Sequence, residues 1–147
     1  MNTMACVNHP LLTIRAALKR RYAHEMAEVL EKWQLTSMEA DVLLFLANNP
    51  GCDTASDMVA LCQLTKSHVS KAVDHLTEQG YITQQRDQSN RRKVHLLLTD
   101  AAKPVVKAGQ AAQKRFLDVL TCGLTDKDKE TTCRVMEIMI ENAVKED

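Results

Sequence analysis

The sequence predicts a mainly α chain with one small β-hairpin, in which short helices and the hairpin are flanked by longer helices at both ends. Three observations predict it. Helix formers such as Ala, Leu, Lys, Gln, Glu and Met are plentiful, while Gly (four) and Pro (three) are scarce, so the chain has few places to turn. Apolar residues recur at three- and four-residue steps over most of the length. Only the stretch after Gly80 switches to a two-residue period. A length of 147 residues suits one domain, or one and a half.

From Pro10 to Trp33 the sequence reads as a long helix. Pro10 fits the first turn, where its missing N–H costs nothing. Leu11, Ile14, Leu18, Tyr22, Met26, Val29 and Trp33 share one face. Such a helix spans about 36 Å, more stripe than one small core covers. Core packing and contact with a second chain are both open readings of it. Thr36-Ser37-Met38-Glu39 is a capping box. The helix it opens carries Met38, Val42, Leu43, Phe45 and Leu46 and ends before Asn49-Pro50-Gly51. Thr54-Ala55-Ser56-Asp57 starts a shorter helix. Thr65 is expected to cap the next, Lys66 to Gln79, which Gly80 closes as a left-handed residue. Two short capped helices joined so tightly are a helix-turn-helix signature.

Tyr81 to Arg86 can extend, Asp87-Gln88-Ser89-Asn90 is turn-prone, and Lys93 to Leu98 alternates with Val94, Leu96 and Leu98 inward. This is a hairpin with a polar, basic tip. Thr99-Asp100 opens a helix to about Leu120, with Val105, Gly109, Ala112, Phe116 and Leu120 facing one way. Pro104 pushes its regular start a residue or two later. Thr121-Cys122-Gly123 breaks it. Thr125-Asp126-Lys127-Asp128 caps a last helix with Cys133, Met136, Ile140, Ala143 and Val144 on one side. A helix-turn-helix followed by a hairpin is a winged helix, and the flanking helices exceed what a winged helix needs.

Lys+Arg and Asp+Glu both number nineteen, so the net charge is zero and bulk charge attracts nothing. The distribution is uneven. Residues 64–98 hold six cations against three anions, whereas 36–63 hold no cation and four anions. On the helix from Lys66, an inner arc of Val69, Ala72, Val73 and Leu76 leaves Ser67, Ser70, Lys71 and Asp74 outside, with His68 and His75 at one flank. Hydroxyls, Lys and imidazole suit a major groove and the helix N-terminus suits phosphate, although any solvated helix shows a polar face. At the hairpin tip Arg86, Arg91, Arg92 and Lys93 face only Asp87. Four crowded cations gain little from the fold, and a phosphate backbone or narrow minor groove would stabilise them. The expected DNA contacts are therefore Thr65, Lys66, Ser67, His68, Ser70, Lys71, Arg86, Arg91, Arg92 and Lys93. The rival is a winged helix that binds protein and never touches DNA.

Other classes find no support. The longest uninterrupted apolar run, Val42 to Ala47, is far short of the roughly 20 residues of a membrane span. The N-terminus has no signal-peptide pattern, so a cytoplasmic location with reduced thiols is expected. No GxSxG, HExxH or phosphate-binding Gly loop occurs, so neither an enzyme nor a cofactor is expected. The five cysteines form no CxxC pair and the five histidines no ligand cluster, so no metal site is expected. Cys62 and Cys133 read as small core residues.

The chain resembles the MarR family of bacterial transcription regulators. The resemblance runs from about residue 10 to 145. It is carried by Leu35-Thr36, by Pro50-Gly51 and the short helix after it, and by Leu76-Thr77-Glu78-Gln79-Gly80-Tyr81-Ile82. It continues through Arg86-Asp87-Gln88-Ser89-Asn90-Arg91-Arg92 to Leu98-Thr99. The family's wing carries an Asp, one residue, then an Arg; here Asn90 stands in the Asp position before Arg92. Ala102 replaces a common Gly. The resemblance implies a homodimer, with 1–34 and 100–147 as dimerisation helices and 35–99 as the winged helix-turn-helix. It also implies a pseudo-palindromic double-stranded operator and release by a small amphipathic or phenolic effector. Tyr22, Met26, Trp33, Phe45 and Phe116 are the expected pocket lining. Some relatives sense thiol oxidation, and Cys6 is the first candidate for that role here, with Cys122 second.

Overall fold

The computed structural model describes residues 9–62 and 64–145. Among them six helices and a hairpin follow in order: α1 (Pro10–Trp33), α2 (Ser37–Asn48), α3 (Ala55–Cys62), α4 (Lys66–Glu78), β1 (Ile82–Arg86), β2 (Val94–Leu98), a 3-10 turn (Asp100–Ala102), α5 (Lys103–Leu120) and α6 (Asp126–Val144). Each boundary has a local cause. Pro10 begins α1, and the His9 ring nitrogen accepts from Leu11 N–H. Gln34 ends it in the left-handed region at φ 53°. The Leu35 amide then bonds back to the Leu30 carbonyl at 3.0 Å, as a glycine-closed helix end would. In the box that opens α2, Thr36 Oγ1 accepts from Glu39 N–H at 3.2 Å, and Glu39 accepts from Thr36 N–H at 2.8 Å. Thr54 and Asp57 do the same for α3, and Thr125 and Asp128 for α6. Thr65 departs from expectation. It occupies the N-cap position of α4 with extended backbone, but its side chain makes no capping bond. Gly80 takes φ +77° after α4, in the left-handed region where a Cβ would strain.

The strands pair antiparallel, from Ile82 opposite Leu98 to Arg86 opposite Val94. Leu96 N–H also donates to the Asp53 carbonyl at 2.7 Å, so the loop before α3 lies along β2 and ties the wing to the helix-turn-helix. One apolar cluster unites the protomer. Leu43, Val69, Leu76, Met58 and Ile82 are among its most enclosed large side chains, and Met26 and Val29 of α1 and Val105 and Ala112 of α5 join it. Gly109 lets α5 close on α2, because a Cβ there would meet a Leu44 methyl at 2.8 Å. Pro104 sits in the first turn of α5, whose regular part starts at Lys103 after the 3-10 turn.

The two ends behave differently. α6 has no buried residue along its length, and Leu11, Leu12 and Ile14 of α1 and Leu117 and Leu120 of α5 are exposed. Three inward assignments therefore fail within the protomer. Leu120 and Cys133 lie beyond the point where the described residues of the chain pack on them. Cys62 is exposed too: it is the last residue of α3 and sits at the rim of a cavity beside α2.

Candidate nucleic-acid interface

The inner arc of α4 (Val69, Ala72, Val73 and Leu76) is buried against α2 and α3. That fixes the rotation of the helix and turns Lys66, Ser67, His68, Ser70, Lys71 and Asp74 into solvent, with Thr65 exposed just before them. At the flank, the His75 ring hydrogen-bonds the buried Glu39 carboxylate. Burial opposes the Glu39 charge, but hydrogen bonds from His75 and from the Thr36 amide outweigh it, so its carboxyl ionises more readily than usual. Glu39 thus caps α2 and tethers α4 with the same side chain.

The wing tip is organised by its single acid. Asp87 accepts from Ser89 N–H at 2.8 Å, Ser89 O–H at 2.6 Å and Asn90 N–H at 2.8 Å. Its second oxygen accepts from His95 Nε2 at 2.9 Å, and His95 Nδ1 donates to Asp53 at 2.8 Å. Two carboxylates, one on each ring nitrogen, favour the imidazolium. The bonds to Asp87 and Asp53 raise the His95 pKa, and those from His95, Ser89 and Asn90 hold the Asp87 carboxyl well below the usual range.

With Asp87 engaged in this way, its charge is spent inside the wing stem. Arg86, Arg91, Arg92 and Lys93 are all exposed and form no ion pair among the described residues. Asn90 acts through the backbone: its side-chain oxygen accepts from Arg92 N–H at 3.2 Å and leaves the guanidinium unheld.

The five expected pocket residues are divided. Tyr22 and Met26 line a cavity of about 190 Å³ between α1 and α2. Phe116 supports it from behind, its ring edge-on to Tyr22 at 5.2 Å and 82°. Phe45 lines a second cavity, of about 340 Å³, with Met58, Leu64 and Gln113. Gln113 donates to the Tyr22 hydroxyl at 3.0 Å and links the two walls. Trp33 belongs to neither: it borders a cleft between α1 and α5, with Lys32 Nζ 4.6 Å from its ring centre. Sequence reasoning missed Asp41, which lines both of the first two cavities. It also missed the Asp53–His95–Asp87 bridge.

Cys6 lies outside the described residues. Cys122 is exposed in the turn after α5, and Cys52 is half-buried. Among the described residues no group of three or more His, Cys, Asp or Glu side chains is placed to hold a metal ion. No described helix is long and apolar enough to cross a membrane.

Comparison with known proteins agrees with this geometry. The sequence model described as the MarR family matches residues 33–93, which hold α2, the helix-turn-helix and the basic tip. The uncharacterized HTH-type transcriptional regulator YpoP of Bacillus subtilis is 24% identical over 95 residues, 65% of this chain and 66% of its own length. A putative MarR family regulator from Listeria monocytogenes, solved with a 26mer DNA, superposes with a TM-score of 0.82 at 16% identity, over 92% of this chain and 89% of that one. A MarR protein from Peptoclostridium difficile superposes at 0.78 and 19% identity, over 97% of this chain and 93% of that one. The sequence match covers the helix-turn-helix and the wing tip, and the fold shared with these regulators runs over nearly the whole length, so the chain is similar to the MarR family in sequence across its helix-turn-helix and in fold throughout.

Proposed function

We propose that the chain is a sequence-specific regulator that binds a pseudo-palindromic duplex operator as a homodimer and acts as a repressor released by a small amphipathic ligand. One observation carries the DNA reading: four exposed wing cations that form no ion pair among the described residues stand beside a recognition helix whose outer face is largely hydroxyls, Lys and imidazole. The DNA-bound Listeria relative supports the same use of this fold. In this reading Thr65, Lys66, Ser67, His68, Ser70 and Lys71 enter the major groove, and Arg86, Arg91, Arg92 and Lys93 hold phosphate or the minor groove. The protein acts in the cytoplasm, where such an operator lies.

The dimer reading rests on α6. A helix of 19 residues with no buried side chain has no tertiary support from the described residues of its own chain. Its apolar residues, with the exposed ends of α1 and α5, require a partner, and a two-fold mate supplies the same surface. Residues 1–34 and 100–147 are then the dimerisation parts and 35–99 the DNA-binding part. The effector would enter the cavities between α1, α2 and α5, with Tyr22, Met26, Phe45 and Phe116 at or behind their walls.

The test is retention on duplex DNA as salt is raised. Arg92→Ala should weaken binding to all sequences and lower the salt slope by about one, with the helical signal unchanged. An unchanged affinity and slope would remove the wing from the interface and favour a protein-binding winged helix.

A further inference from the structure

Asp41 is an acid on α2 that the fold itself does not use. Glu39, two residues earlier, is engaged by Thr36 and His75. Asp41 makes no hydrogen bond or ion pair with any described residue, and burial alone pushes its carboxyl up to about 6. It stands between the two cavities and lines both. On one side are Tyr22, Met26 and Leu30, and on the other Phe45, Met58 and Leu64. Asn48, Asn49 and Gln113 also border the larger cavity but none bonds Asp41, and a half-buried carboxylate left without a partner is costly until a cation or donor reaches it. The charged and titratable groups around it are few. Lys19 of α1 is exposed at the edge of the smaller cavity and forms no ion pair with Asp41. The Tyr22 hydroxyl and the Cys62 thiol are each pushed up, first by burial, with the Asp41 charge adding to the effect. Two neighbouring groups thus resist ionising beside it, and an anionic ligand would meet the same opposition.

We propose that these cavities take a lipophilic cation, whose apolar body fills the space beside Tyr22 or Phe45 and whose ammonium group pairs with Asp41. This deepens the effector reading and rests on it for the link to DNA release, but not for binding itself. At neutral pH Asp41 is mostly ionised, so the pair forms without a proton transfer. The larger cavity, about 340 Å³, reaches the range of small-ligand sites.

The experiment uses three compounds on one skeleton: 4-phenylbutylammonium, 4-phenylbutanol and 4-phenylbutanoate. Each is titrated calorimetrically into the full chain and into Asp41→Asn, with circular dichroism confirming the fold. Release of a labelled duplex from the chain's own upstream region is read in parallel. The ammonium compound should bind at least tenfold more tightly than the alcohol, and the carboxylate most weakly. Asp41→Asn should erase the ammonium preference and change alcohol binding less than threefold. Should that variant fold poorly, the wild type decides: lowering the pH from 7.5 to 5 should shrink the ammonium preference as Asp41 takes up a proton. An alcohol or carboxylate that binds as tightly as the ammonium overturns the proposal, as does a preference that survives both Asp41→Asn and acid. Tight ammonium binding without DNA release overturns the effector reading and leaves the cation site standing. Release by the alcohol or carboxylate alone does the reverse.

Discussion

Ile140→Glu tests the claim that α6 is half of an interface. Met136, Ile140 and Val144 form a stripe at four-residue steps and are 51%, 59% and 50% exposed in the protomer. Fully burying an Ile side chain stabilises by about 1.5–3 kcal/mol. With 59% of Ile140 still open, a partner can recover about 1–2 kcal/mol at this position in each protomer. The two-fold axis counts the site twice, for about 2–4 kcal/mol per dimer, before the cost of desolvating two carboxylates. That corresponds to a roughly 30- to 1,000-fold weaker dimer. Sedimentation velocity over a concentration series reads this directly, with Ile140→Met as the volume-conserving control. The helical signal should fall with the dimer, because the isolated protomer leaves α6 unsupported. An Ile140→Glu chain that still sediments as a stable folded dimer at submicromolar concentration would refute the reasoning. So would a wild-type chain that is a folded monomer at micromolar concentration.

Other outcomes follow from single sites. Thr36→Ala removes one bond of the capping box and should cost about 1 kcal/mol in urea denaturation; no change would mean the box is not formed. Lys71→Ala should alter sequence preference by about 1–3 kcal/mol if the side chain reaches a base edge, whereas equal weakening on all sequences would place it on phosphate. The wing should be pH-sensitive through His95, whose pKa is raised by Asp87 and Asp53. Its stabilisation is complete below its ordinary value of about 6.5 and is lost as pH rises through the higher folded value. Asp87, whose pKa is lowered by His95, Ser89 and Asn90, contributes above the ordinary carboxylate value and loses its contribution as pH falls below it. Amide exchange in residues 86–94, corrected for intrinsic rate, should speed up above neutrality in the wild type but not in His95→Gln. A His95 resonance that titrates at or below 6.5 would contradict the bridge.

What is legible in the sequence is local. Thr36 and Glu39 lie three residues apart, so spacing alone identifies their reciprocal bonds. The inner arc of α4 and the period-two hairpin are likewise set by neighbours in the chain. Thr65 shows the limit: its type and position suit a cap, but the cap depends on a rotamer that spacing does not fix. Periodicity places Cys133 on an apolar face without saying that none of the described residues of the same chain covers that face. Residue type groups the aromatic side chains together, yet Tyr22 and Trp33 are separated by about 16 Å along α1 and border different spaces. Asp41 and the His95 bridge escape for one reason. Asp41 acquires its burial from α1 and α3 on either side, and His95 meets an Asp 42 residues away. Only the folded chain brings such groups together.

The central claim is that paired copies of this chain read duplex DNA through α4 and the wing. The most direct measurement is a footprint on the chain's own upstream region, with the stoichiometry of the same complex determined by sedimentation. The account predicts two chains per duplex and two protected half-sites about one helical turn apart, with protection lost when Arg91 and Arg92 are both changed to Ala. One chain per duplex, or protection that survives that double change, would contradict it.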